Sequence, residues 1–243
     1  MKNLINTLVF GVIFVFADAG CEPANQTSAA GTKKKEPPVP AGKKVEVGKN
    51  VYLEIKGEKR RVLVQSSICL RRGMLEQLMT RKRTKEHEAI LAADVDARVI
   101  HTALIAAGAE PGKPVQFQPK FMVPTGTTIK ITLQYKDKDK MVSVPAQQWI
   151  RNFKSKKILE YDWVFAGSVL IPDPLDKTKK PFYGANDGDV ICVSNFDTAL
   201  LDLPVNSSKD NDDLLFEAVT DRIPPLETPV EIVLEPVLKA KKK

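Results

Sequence analysis

The chain is short of the residues on which most site chemistry relies. Its 243 residues include three cysteines and two histidines. Cys21, Cys69 and Cys192 stand far apart. A four-iron cluster takes four thiolates, several of them in one tight run, so no iron–sulfur cluster is housed here. Also missing are a phosphate-cradling glycine loop and a glycine-flanked nucleophile turn. Gly184-Ala185-Asn186-Asp187-Gly188-Asp189 has a calcium-like composition. It lacks the alternating ligands and closing Glu of a calcium loop, and reads as a hairpin turn. Trp149, Trp163, Phe165 and Tyr183 fall on separate predicted elements and read as core or rim, not as a stacking platform.

The central part of the chain also lacks a charge excess. Net charge is +7, yet residues 51–238 carry 26 basic and 26 acidic side chains. The excess sits on residues 21–50, with six lysines against Glu22, Glu36 and Glu46, and on the tail 239–243, with four lysines. A nucleic-acid binder concentrates positive charge on its folded surface, so no nucleic-acid partner is expected. The basic linker and tail have two readings. One is attraction to an anionic envelope surface, at about 1 kcal/mol per Lys. The other is solubility alone.

What is present begins with Lys2 and the apolar run Leu8–Phe16, too short to span a bilayer. A positive residue, a short apolar stretch and then small residues have the layout of a secretory signal, here residues 1–20. Ala17-Asp18-Ala19 suits cleavage before Gly20. Ala19-Gly20-Cys21 instead resembles a lipobox ending, which makes Cys21 the lipidation site. Residues 21–50, rich in Pro and Lys, bury too little apolar surface to offset chain entropy and read as a disordered linker. The expectation is an exported protein, periplasmic or in the cell envelope, held to the membrane through lipidated Cys21.

Residues 51–238 are long enough for one globular domain. Val51–Ile55 and Arg61–Gln65 alternate around Lys56-Gly57-Glu58-Lys59 and predict a hairpin. Thr127–Tyr135 and Met141–Val144 predict a second, around the charged run Lys136–Lys140. Further strands are expected at Trp163–Leu170, Asp189–Val193 and Val230–Leu234. One main helix is expected over residues 95–107, capped by Asp94 or Asp96 and stopped by Gly108 and Pro111. Ala146–Ile150 adds a short helical turn. These elements predict a single α+β domain of mostly antiparallel strands.

Several runs carry a family likeness. Cys69-Leu70-Arg71-Arg72-Gly73-Met74-Leu75-Glu76, Thr84-Lys85-Glu86-His87-Glu88-Ala89-Ile90-Leu91 and Ile100-His101-Thr102-Ala103-Leu104 follow one another in order. Asp162-Trp163-Val164-Phe165-Ala166-Gly167-Ser168 and Asp189-Val190-Ile191-Cys192-Val193-Ser194-Asn195-Phe196 come after them. Together, from about Val51 to Val237, they resemble the YdjY-type domain, in particular its exported planctomycete-type members. The resemblance implies the domain and no settled activity. Its occasional ferredoxin-like label does not transfer, for want of thiolates.

Glu86-His87-Glu88 is the densest group of candidate ligands, and His101 is the only other imidazole. A strand turning through Asp94 into the helix could bring His87 and His101 together. Two imidazoles with a carboxylate suit zinc or a similar divalent ion. Strand alternation, however, sends Glu86 and Glu88 to the face opposite His87. The other reading has His87 satisfied locally and the glutamates paired with Arg81, Lys82 and Arg83. Cys69 and Cys192 form either a disulfide or two free buried thiols. The functional expectation is an exported binding or accessory module of unassigned biochemical activity. The alternative is a metal-dependent hydrolase or redox accessory protein using His87 and His101.

Overall fold

A computed structural model describes residues 42–208 and 210–238, all within the unit Pro40–Lys243. The signal segment, Cys21, most of the linker and the tail 239–243 lie outside the described residues. β1 (Lys43–Gly48) and β2 (Val51–Lys56) lead into the long β3 (Lys59–Ile68). β4 (Met74–Leu75), β5 (Gln77–Arg81) and β6 (Ala89–Ala93) precede helix α1 (Ala97–Ala106). Next come β7 (Thr128–Asp137), β8 (Lys140–Pro145), β9 (Ile150–Asn152), β10 (Trp163–Phe165), β11 (Leu170–Ile171) and β12 (Phe182–Tyr183). β13 (Ile191–Cys192), β14 (Leu201–Asp202), β15 (Phe216–Ala218) and β16 (Pro229–Pro236) complete the order.

Alternation builds the longest strands. In β7, Ile129, Ile131 and Leu133 are buried while Lys130 is exposed and Thr132 and Gln134 are half-buried. β16 sets Ile232 opposite Leu133 on one side and opposite Val64 on the other. Leu234 likewise faces Ile131 and Val62. Rows of this kind make the hydrophobic core, each fully buried aliphatic side chain contributing roughly 1.5–3 kcal/mol.

The sheet then closes on itself. Its order is β3–β16–β7–β10–β14–β13–β5–β6, and β6 returns to β3 through Ser67↔Ala92 and Ile68↔Leu91. Two junctions, β13–β14 and β5–β6, are parallel. An eight-stranded barrel is just wide enough for side chains to fill its interior. β3 and β7 each serve two neighbours along one edge. β3 pairs with β2 at its start and with β6 at its end, and β7 pairs with β10 at its start and β8 further on. The hairpin β1–β2 and the strand β8 therefore extend beyond the closed ring.

This overturns the expectation of an α+β domain of mostly antiparallel strands. Among the described residues the protein is mostly β, a closed eight-stranded barrel with extra strands and one α-helix. Within the ring, closure leaves no sheet edge for helices to cover, and of this sheet's described strands only β1 and β8, outside the ring, remain at an edge. α1 runs over Ala97–Ala106 rather than 95–107 and packs on β2 and β3 through Ile100, Ala103 and Leu104. Asp96 caps it by accepting from Arg98 N, and Asn186 accepts from Ala97 N. The linker boundary also moves. Lys43–Gly48, read as disordered from composition, pairs along β2 and is held by backbone bonds while its side chains stay largely exposed.

Two expected strands are shorter than the sequence suggests. The Trp163–Leu170 run breaks at Gly167 (φ 91°) and Ser168 (φ 60°), a left-handed pair that no strand continues through. Asp189–Val193 keeps only Ile191–Cys192 as strand. The turn expected at 184–189 is a 3₁₀ turn, Gly184–Asp187, that delivers Asn186 to the helix. Among the described residues, no helix is long and apolar enough to cross a membrane.

Candidate functional site

The family-like runs meet at two places, one closed and one open. The closed place is a polar network around β13. Asp189 is almost fully buried and accepts from Lys85 Nζ at 2.7 Å and Gln77 Nε2 at 3.3 Å on Oδ1, and from Thr198 Oγ1 on Oδ2. Burial pulls the Lys85 amine down, but Asp189 more than offsets this and leaves it above the ordinary lysine value. The same ammonium sits 4.7 Å over the Phe196 ring. Trp163 Nε1 donates to Cys192 O at 2.7 Å, which ties β10 to β13.

Asn195 continues the network, donating to Asp202 Oδ1 at 3.0 Å and accepting from Ser207 N at 2.8 Å. Burial pushes the Asp202 carboxyl up to about 8, against which its bonds from Asn195 and Leu203 N pull only in part. Burial thus favours the protonated form of Asp202. These contacts are buried and largely paired, although Gln77 Oε1, Asp202 Oδ2 and Ser207 Oγ have no hydrogen-bond partner among the described residues, and they read as the brace of the barrel.

The open place lies where β10 breaks. His101 and Arg98 project from α1, Gly167 and Ser168 form the break, and Leu170 and Tyr183 are cross-strand partners in β11–β12. With Thr102 and Val169 they line a pocket of about 490 Å³. Its hydrogen bonds assign the protons. Tyr183 Oη donates to Gly167 O at 2.8 Å, and a carbonyl can only accept. The phenol has no second proton, so the 2.7 Å contact with His101 Nδ1 must be donated by the imidazole. His101 Nε2 then carries the lone pair, and no donor among the described residues hydrogen-bonds to it. Burial lowers the imidazole below its ordinary 6.5, with the Gly167 carbonyl opposing, so the ring is neutral at pH 7. Burial also pushes the Tyr183 phenol up. Phe165 holds the ring edge-on at 4.8 Å between centroids.

A larger cleft of about 900 Å³ runs past Gly57, Arg60, Gly108 and Leu238. It has no imidazole or thiol, and Arg60 is already spent on Ala106 O at the end of α1. The imidazole and the phenol both belong to the smaller pocket.

The expected ligand group is placed differently from the sequence reading. Glu86-His87-Glu88 forms a 3₁₀ turn, not a strand. Glu86 accepts from the backbone N–H groups of Arg83 and Thr84 and so closes that turn. His87 is strongly exposed, with Nε2 3.7 Å from Glu88 Oε2. His101 keeps separate company with Tyr183 and Phe165. Among the described residues no three His, Cys, Asp or Glu side chains converge as a metal site. Cys69 and Cys192 are free thiols rather than a disulfide. Cys69 Sγ donates to Ala89 O at 3.1 Å and is pushed up to about 12 by burial, with Glu86 adding to it. Cys192 is raised by complete burial, with Asp189 and Asp202 adding.

Sequence reasoning missed Tyr183, Ser168 and the Lys85–Asp189 pair. Lys85 and Asp189 each stand at or beside the head of a family-like run, which was a usable signal. Nothing in the sequence marked Tyr183 beyond an aromatic near a turn.

Fold and site together describe a closed β-barrel domain with a histidine–tyrosine pocket at a break in one barrel strand. The YdjY domain matches residues 53–235, most of the chain, and the protein belongs to that family. No curated protein and no solved structure matches it.

Proposed function

We propose that this YdjY-domain protein is an exported, envelope-associated binding module whose ligand enters the pocket at His101. The observation that carries the reading is the Gly167–Tyr183–His101 chain, which leaves a neutral imidazole with an open acceptor nitrogen beside Val169 and Leu170. Such a site takes an apolar group that bears a hydrogen-bond donor, an amide N–H or a hydroxyl. The signal layout of residues 1–20 and Cys21 supports export with a lipid anchor. Lysines of the linker and tail supply attraction to anionic lipid.

N-acetyl-leucinamide titrated against ¹⁵N-histidine-labelled protein tests the site. The His101 Nε2 resonance and the Gly167–Leu170 amides should move together and saturate. His101→Phe should abolish the response while Tyr183 keeps its bond to Gly167. Shifts elsewhere, or none, would remove the pocket from the proposal. Separately, Cys21→Ser should release the exported protein from the membrane fraction.

A further inference from the structure

The surface beside the pocket has an unusual composition. The β11–β12 hairpin carries Leu170, Ile171 and Phe182 exposed on its strands, and Leu175 at its tip is 95% exposed. Its two acids are turned back on the loop. Asp173 accepts from Leu175 N, Asp176 N and Lys179 Nζ, and Asp176 accepts from Thr178 N and Oγ1. Those bonds hold the tip in one shape, and the solvent-facing charge is that of Lys177 and Lys180, neither of them in an ion pair among the described residues.

A second loop has the same character. Residues 113–123 expose Phe117, Met122 and Val123, with Met122 at 55%. Gln116 and Met122 exchange backbone bonds at 2.8 and 3.0 Å, and the Phe117 and Phe121 rings pack at a 57° tilt with centroids 6.1 Å apart. Lys113 and Lys120 are its only charges, and neither is in an ion pair among the described residues. Both loops spring from the broken end of β10. Gly112 N donates to Phe165 O at 2.9 Å, and a Cβ on Gly167 would stand 3.0 Å from Pro111 Cβ. At Gly126 a Cβ would lie 2.1 Å from Phe165 O, so the second loop's root is pressed onto the strand.

The geometry points to these two loops as a docking surface for an anionic lipid bilayer. Apolar side chains standing out from water beside unpaired lysines need a partner that offers negative charge at its rim and hydrocarbon below it. A bilayer offers both, and lysine stems reach back to the headgroups while the apolar tips go deeper. A second copy of the chain does not fit, because it would bring the same lysines against these. This surface does not depend on the ligand proposed for the pocket, though Leu170 belongs to both and would set the pocket mouth at the interface.

The test must see the loops themselves, since the chain's basic ends also attract anionic vesicles. In the full chain, Leu175→Trp and Met122→Trp each place a reporter at one tip. The native Trp149 and Trp163 are buried and give a fixed background. With vesicles of phosphatidylglycerol mixed equally with phosphatidylcholine, both reporters should shift to the blue and be quenched by lipids brominated near the headgroup. Phosphatidylcholine alone should produce neither effect. Leu175→Asp with Met122→Asp should weaken vesicle binding by about tenfold or more, given what burying two such side chains is worth. Reporters that stay unshifted while the chain still sediments with vesicles would overturn the proposal and leave binding to the ends. A blue shift without lipid that grows with protein concentration would overturn it in favour of self-association.

Discussion

Lys85 Nζ lies 2.7 Å from Asp189 Oδ1, joining two residues 104 positions apart, with the carboxylate 3% exposed. The pair locks the turn after β5 to the entry of β13. Removing one partner leaves the other charge buried.

Lys85→Met should therefore cost roughly 3–5 kcal/mol, the usual penalty for stranding a buried charge. Asp189→Asn added to it should restore part of the loss, because the stranded charge is gone. Urea unfolding of the two singles and the double checks this. Strictly additive losses would show that the two residues act independently.

Asp202 makes a pH prediction of definite sign. Its folded pKa, about 8, lies above its unfolded value of 3.8. The fold holds a proton that the unfolded chain has released, so the group's contribution is full below 3.8 and is lost as pH rises through about 8. Asp202→Asn resembles the protonated acid in shape and charge. It should melt close to wild type in mild acid and above wild type in alkali. A melting difference that is constant across pH would contradict the neutral carboxylic acid.

His101 runs the other way. Its folded pKa is below the unfolded 6.5, so its contribution is present above 6.5 and is lost as pH falls through the folded value. Imidazole NMR should show the Nδ1–H tautomer and a midpoint below 6.5. Tyr183→Phe removes the acceptor of that proton and should cost about 1 kcal/mol. An Nε2–H tautomer in the wild type would reverse the assignment of the open nitrogen.

The thiols give a simple chemical check. The thiolate is the reactive form, and burial raises the pKa of both Cys69 and Cys192. In a Cys21→Ser background neither should react quickly with a thiol reagent at neutral pH until the protein unfolds. Dithiothreitol should leave the melting temperature unchanged. A reductant-sensitive melt would bring back the Cys69–Cys192 bridge.

Much of the local structure was legible in order along the chain. The hairpins β2–β3 and β7–β8, the strand β16 and the helix after Asp96 follow from alternation, turn residues and capping, which act over a few neighbours. The family likeness was legible too, since it rests on runs of residues. His101 was singled out as one of only two imidazoles, although with the wrong companion.

Tertiary structure decided the rest. Barrel closure rests on β13, β14 and β10, strands of two or three residues; β13 meets β14 close by in sequence, but Ile191 also pairs with Met79 and Val164 with Asp202, far away along the chain. Strands so short carry no periodic signal. Gly167 and Ser168 look like strand continuation until their left-handed backbone breaks β10 and opens the pocket. His87 and His101 are fourteen positions apart with one strand between them, which allows either proximity or separation. The turn at Glu86–Glu88 and the aromatic seat of His101 settle on separation. Composition and spacing determine which segments can be strand or helix. Which distant side chains share a proton is fixed only when packing brings Tyr183 to His101 and Lys85 to Asp189.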